Sequence, residues 1–138
     1  MTAAKDSIDV VEAFLVAIGS GRLDNAQARL AGDAELVFPG GRRFGSLTEL
    51  AAGSQSRYRW VDKRRDLYEA TEDGGLVWST GRLFGENRHG VHFDGVRYVD
   101  RFRLRDGLIV EQWVWNDLAE TGVLEARTLT ELDAKWRP

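Results

Sequence analysis

Apolar residues recur at helical spacing near the start of the chain, at Ile8, Val11, Leu15 and Ile18, and give way to strand-like alternation from Tyr58 onward. Ser7 is placed to cap the first helix, and Gly19 with Gly21 ends it. Asp24 opens a short second helix to about Ala31, stopped by Gly32, and ELVFPGG then reads as a strand broken at Pro39. Ser46 with Glu49 forms the capping box of a third helix, which carries Leu47, Leu50 and Ala51 and ends near Arg57. Tyr58 to Thr71 and Leu76 to Glu86 read as strands joined by the turn Glu72-Asp73-Gly74-Gly75. A looser stretch, Asn87 to Gly95, leads into VDRFRLRDGLIVEQWVWND, Val99 to Asp117, two more strands around Arg105-Asp106-Gly107. In the tail, Thr128 and Glu131 suggest another capping box, with Leu129, Leu132 and Trp136 on one docking face. Helices followed by a long antiparallel meander predict an α+β fold, with helices packed on one face of a strongly curved sheet.

Within Val99 to Asp117 the alternation assigns side chains to faces. A three-residue Arg-Asp-Gly loop ending in a left-handed glycine sets Leu104 opposite Leu108, Phe102 opposite Val110, Asp100 opposite Gln112, Tyr98 opposite Val114 and Val96 opposite Asn116. A two-residue Asp-Gly turn is the competing geometry, and a one-residue slip would exchange one strand's faces. The first choice groups the apolar residues and leaves Arg97, Arg101, Arg103, Ile109, Glu111, Trp113, Trp115 and Asp117 outside. Asp100 is then a carboxylate among apolar neighbours, where loss of water favours its neutral form. It is the candidate proton carrier or hydrogen-bond donor to an oxyanion, with Gln112, Asn116 and Tyr98 as further polar contacts. A structural aspartate satisfied by its neighbours is the alternative.

Composition narrows the partners. A length of 138 residues fits one domain, with a core over about 7–120 and a docking tail over about 121–138. A net charge of -3 argues against nucleic acid, and no apolar run is long enough for a membrane span. No targeting signal is visible, so a cytoplasmic location is expected. The chain has no cysteine, and its two histidines, His89 and His92, fall on opposite faces of an extended strand, so neither metal nor cofactor is expected. On a continuous strand His92 would share the face of Asp100, but eight residues place it roughly 26 Å away. Nucleotide-binding, serine-elbow and zinc-protease motifs are all absent.

The order of elements, together with FPGGRRFGS, the Gly81 and Gly85 pair in STGRLFGE, and VDRFRLRDGLIVEQWVWND, resembles the nuclear transport factor 2-like superfamily and its SnoaL-like branch. The resemblance implies a helix-capped conical sheet around an apolar cavity, a scaffold shared by isomerases, dehydratases, hydrolases, cyclases and non-catalytic proteins. Asp100 matches the oxyanion-hole aspartate of the ketosteroid isomerases. Their tyrosine partner falls on Phe14 and their catalytic base on Phe38, so that mechanism is not expected. The working aspartate of SnoaL-type cyclases and limonene epoxide hydrolases falls on Val114, and the cyclase histidine on Gln112. Asp117 matches an acidic residue that commonly ends the last strand.

Tyr58 is a candidate phenol donor to a ligand carbonyl, in place of the hydroxyl missing at Phe14. Lys63-Arg64-Arg65 and the arginines at 97, 101, 103 and 105 read as an outer ion-pair network with Asp62, Asp66, Asp106 and Glu111. Trp113 and Trp115 beside Arg101 and Arg103 fit a homodimer interface. The sequence thus points to a domain that binds a small apolar ligand against Tyr98, Gln112, Asn116, Tyr58, Phe14, Phe38, Phe102 and Val114. A cofactor-independent isomerase, dehydratase or cyclase with Asp100 as catalytic group is one reading. A non-catalytic binding or association domain is the other.

Overall fold

The computed structural model describes residues 2–135. Helix α1 (Ala3–Gly19) starts earlier than the sequence suggests, because Thr2 caps it: the Thr2 hydroxyl accepts the Lys5 amide at 3.1 Å. Ser7 lies inside the helix and donates its hydroxyl to the Gly74 carbonyl at 2.7 Å, tying α1 to a distant turn. Helix α2 (Leu23–Gln27) is shorter than expected, since strand β1 (Leu30–Phe38) already begins at Leu30. A 3-10 turn over Pro39–Gly41 leads to β2 (Arg42–Phe44) and then α3 (Leu47–Gln55). The capping box at α3 forms as predicted at Ser46, which accepts the Glu49 amide at 3.1 Å, while Glu49 reaches back to the Gly45 amide at 2.8 Å. The meander follows as β3 (Tyr58–Ala70), β4 (Leu76–Asn87), β5 (His92–Arg105) and β6 (Leu108–Asn116), then α4 (Leu118–Thr121) and α5 (Leu129–Lys135).

The six strands form one mixed sheet in the order β2-β1-β6-β5-β4-β3, with β1 parallel to β6 and the other neighbours antiparallel. Gly81 and Gly85 have a physical reason in this sheet. A Cβ on either would come within 1.9 Å of the Arg64 carbonyl oxygen or 2.3 Å of that of Trp60. Register shifts in the β3–β4 pair fall between Tyr58 and Trp60 and between Arg65 and Leu67, so β3 leans onto β4 where β4 has no side chain.

The β5–β6 hairpin overturns the predicted register. Asp106 and Gly107 both have positive φ, 54° and 77°, and form a two-residue turn with Arg105 opposite Leu108 and Leu104 opposite Ile109. Ile109 is therefore in the core and Leu108 exposed, the reverse of the expectation. A bulge at Val110 then shifts the register, giving Phe102 opposite Gln112, Asp100 opposite Val114 and Tyr98 opposite Asn116. The bulge restores the expected parity, so Gln112, Val114 and Asn116 still face inward with Asp100.

Two buried clusters fill the inner side. One joins α1, α2 and α3 to Leu36, Val77, Phe102 and Ile109; the other joins Leu83, Phe93, Val96 and Tyr98 to Val123, Ala126 and Leu132 of the tail. Asn87, wholly buried, fastens that tail: its amide nitrogen donates to the carbonyls of Val123 at 2.9 Å and Ala126 at 2.6 Å, and its oxygen accepts the amides of His89 and Val91, both at 2.9 Å. Leu132 docks as expected, whereas Leu129 remains 61% exposed; Trp136 lies outside the described residues. Helix α1 is further held by Glu12, which takes the Arg65 guanidinium at 2.9 Å and the Tyr68 hydroxyl. No helix among the described residues is long and apolar enough to cross a membrane.

Candidate functional site

The helices stand off part of the inner sheet face and leave a cavity of about 470 Å³. Its wall is mostly apolar, with Phe14, Leu15 and Ile18 from α1, Leu47 and Leu50 from α3, and Phe38, Val61, Leu83 and Val114 from the sheet. Six of the residues proposed from sequence lie on it: Phe14, Phe38, Tyr58, Gln112, Val114 and Asn116. Three do not. Tyr98, Asp100 and Phe102 are almost wholly buried behind the wall, so the structure corrects their assignment as direct contacts. Phe102 packs edge-on against Phe14 with ring centroids 6.0 Å apart, and the Tyr98 hydroxyl shares a 2.9 Å hydrogen bond with Ser79. Burial pushes the Tyr98 phenol up to about 12, which keeps it neutral at physiological pH.

The group that stands between Asp100 and the cavity is Lys63. In the register, Lys63 faces Leu83 and Leu83 faces Val96, so all three point inward. The Lys63 ammonium donates to Asp100 Oδ2 and lies 4.7 Å from the centre of the Tyr98 ring. Its side chain is 19% exposed and lines the cavity, while Asp100 has no exposure at all. Burial raises the pKa of Asp100 above the usual carboxylate value; the Lys63 charge and hydrogen bond, then Gln112, oppose that rise. Gln112 sits diagonal to Asp100 rather than opposite it, because of the bulge. Neither Asp100 Oδ1 nor Gln112 Oε1 has a partner of hydrogen-bonding geometry. The pair is thus buried and incompletely satisfied.

Sequence reasoning placed Lys63 in an outer ion-pair network, and here it is corrected. Arg64 does pair outside, with Asp94 at 2.9 Å, and Arg65 turns to Glu12 on α1. The parity Val61, Lys63, Arg65 carried the signal for an inward lysine, but fixing it needed the facing of Leu83 on β4. The neighbouring Asp62 also lines the cavity; its Oδ1 accepts the Lys63 backbone amide at 2.7 Å. It fits there because position 19 is glycine, where a Cβ would come 2.5 Å from Asp62 Oδ1. Tyr58 donates its hydroxyl to Ser54 at 3.4 Å, and Asn116 Oδ1 accepts the Leu118 amide at 3.1 Å.

His92 does not share the face of Asp100. Gly95, with φ of 82°, shifts the strand's parity, and His92 stands outside beside Glu86 and Trp60. Among the described residues no group of three or more histidines, cysteines or carboxylates is arranged to hold a metal. On the outer face the Trp113 and Trp115 rings are 6.1 Å apart, and Arg101 lies 4.1 Å over Trp113. Glu111 takes Arg101 at 2.7 Å and Arg103 at 3.2 Å, as the ion-pair reading expects, and Arg97 pairs with Asp117 at 2.6 Å.

Helices packed on one face of an open six-stranded mixed sheet define a nuclear transport factor 2-like fold. Residues 11–112 match the SnoaL-like domain, and the chain belongs to that family. Among solved structures it is similar to TerC co-crystallised with polyporic acid, at 17% identity and a TM-score of 0.78 over 88% of this chain and 99% of that one. A polyketide-cyclase-type protein from Xanthomonas campestris pv. campestris superimposes with 21% identity and a TM-score of 0.73 over 86% and 96%. A nuclear transport factor 2-like protein from Burkholderia pseudomallei does so with 17% identity and 0.75 over 88% and 98%. These likenesses are likenesses of fold. Among curated proteins nothing matches.

Proposed function

We propose that the cavity binds a compact, largely apolar carbonyl compound and moves a proton next to its carbonyl without a cofactor, as an isomerase, dehydratase or cyclase does. The observation that carries this is the ammonium of Lys63 on an apolar wall, held by a buried carboxylate. An ammonium fixed in a site poor in water stabilises negative charge that develops on a carbonyl oxygen far better than one in bulk solvent. Asp62, on the same wall, is the carboxylate placed to accept the proton from carbon. Asp100 does not touch the substrate in this reading. It is a positioning residue that fixes where the Lys63 charge sits, and Gln112 supports it. The cyclase-type names among the structural neighbours agree with such chemistry.

Exchange of the hydrogens next to a carbonyl for deuterium, followed by NMR across a panel of ketones and 1,3-diketones, tests it. The expected result is catalysed exchange that falls about a hundredfold or more in Lys63→Met and in Asp62→Asn. Ligands that bind without any exchange would leave the second reading, a non-catalytic binding domain. That reading is favoured by the apolar residues Phe14, Phe38 and Val114 at the positions where catalytic relatives carry their working groups. We further propose that the face bearing Trp113, Trp115, Arg101 and Arg103 pairs with a second copy of the chain, since Trp115 is exposed and buried Trp113 Nε1 has no hydrogen-bond partner.

A further inference from the structure

Beside Arg59, which pairs with Glu86 at 3.2 Å, the corner between α3 and β3 puts another cationic group on the cavity wall, Arg57. Unlike Lys63, its guanidinium has neither a hydrogen bond nor an ion pair among the described residues; its backbone amide alone is engaged, with Ser54 at 3.0 Å. An arginine left unpaired while partly buried gives up some of its water without a close counter-charge in return. Burial is the main influence that lowers the Arg57 pKa, and the positive charge of Arg42 adds to it, against weaker opposite effects from Tyr58 and Glu125. Arg42 is held near this corner by β2: its guanidinium lies 5.7 Å from the Phe44 ring, which packs edge-on against Phe38 of the cavity wall. Arg42 is itself exposed and outside the cavity lining, with its Nε donating to the Pro39 carbonyl at 3.4 Å, and among the described residues no carboxylate pairs with either guanidinium.

We propose that the cavity takes ligands carrying a carboxylate on an apolar body, with Arg57 as the anchor for that carboxylate. This rests on the reading of the cavity as a ligand site and adds the charge of the ligand to it. A carboxylate would supply the two acceptor oxygens that a planar guanidinium fork is shaped to meet. Lys63 already has a carboxylate partner in Asp100, whereas Arg57 has none among the described residues. Arg57 precedes β3 and Lys63 lies six residues on, at most about 20 Å away along the backbone, so one ligand would meet the two cations at different ends.

Calorimetric titration with 1-naphthoate and with methyl 1-naphthyl ketone, a matched neutral probe, tests the assignment on the wild-type chain and on Arg57→Gln. The expected result is that the wild type binds the acid about tenfold or more tightly than the ketone, and that the ratio falls to near one in Arg57→Gln. Because the readout is a ratio within each protein, a change in folding does not imitate it. Equal binding of acid and ketone by the wild type would overturn the anchor while sparing the ligand-site reading. An acid preference that survives in Arg57→Gln would overturn it too and transfer the role to another cation. Binding of neither probe would take down both readings together.

Discussion

Asp100 and Arg101 are neighbours in one strand, yet they show two ways in which a protein keeps charge. Outside, Arg101 stacks on Trp113 and shares Glu111 with Arg103, and further pairs join Arg97 to Asp117 and Arg82 to Asp66. Most of these groups keep contact with water, so each pair is replaceable and contributes little. Inside, Asp100 has one cation, Lys63, and no exposure. A pair of that kind often costs more to bury than hydrophobic contacts of the same volume would, so stability alone is a weak reason for its presence.

The sharpest way to break this contrast is to remove one partner on the inside. Lys63→Met leaves a buried carboxylate alone and is expected to cost about 3–5 kcal/mol in denaturant unfolding. Lys63→Met/Asp100→Leu should recover most of that loss, and failure to recover would mean the lysine packs rather than pairs.

The pH dependence of Lys63→Met tests the same point from another side. The folded pKa of Asp100 already lies above the ordinary carboxylate value because of burial, and loss of Lys63 raises it further. A raised folded pKa means that the native state holds the proton more tightly than the unfolded chain. Its stabilising contribution is therefore complete below the unfolded pKa and fades as pH rises through the folded one. Lys63→Met should accordingly regain about 1.4 kcal/mol per pH unit as pH falls through the window between those values, measured by urea midpoints. A flat profile would show that Asp100 is not the titrating group.

On the outer face Trp115→Ser should weaken the proposed self-association by about 2 kcal/mol in sedimentation equilibrium while leaving the unfolding midpoint of the monomer nearly unchanged, and a wild-type chain that stays monomeric there would overturn the proposed pairing. The smallest effect belongs to Arg103→Ala. It is expected to cost under about 1 kcal/mol and to shrink further as salt rises, since Glu111 keeps Arg101. A larger loss would mean the two faces are less different than the structure implies.

The same contrast explains what could be read from the sequence. The helix stripe of α1, the α3 cap and the facing of Trp113, Trp115 and the arginines follow from local periodicity, and so does the inward direction of Asp100. The register did not, because Arg105-Asp106-Gly107 suits two turn geometries and the bulge at Val110 hides which was used: it restores the face while moving every partner. Lys63 was missed for a different reason. It is 37 positions from Asp100 in the chain, and their meeting depends on the pairing of β3 with β4 and of β4 with β5. Gly81 and Gly85 were visible as letters, but only the lean of β3 over β4 shows what they make room for.

Asn87 has a consequence for how the molecule opens. Its amide can offer two hydrogens and two lone pairs, and all four are in use, two toward the chain past α4 and two toward the turn before β5. Freeing the tail would break the two bonds that its donors make, and freeing the turn the two that its oxygen accepts. The two segments are therefore bound into one cooperative unit, and their amides should exchange with solvent at a common rate set by a single local unfolding event.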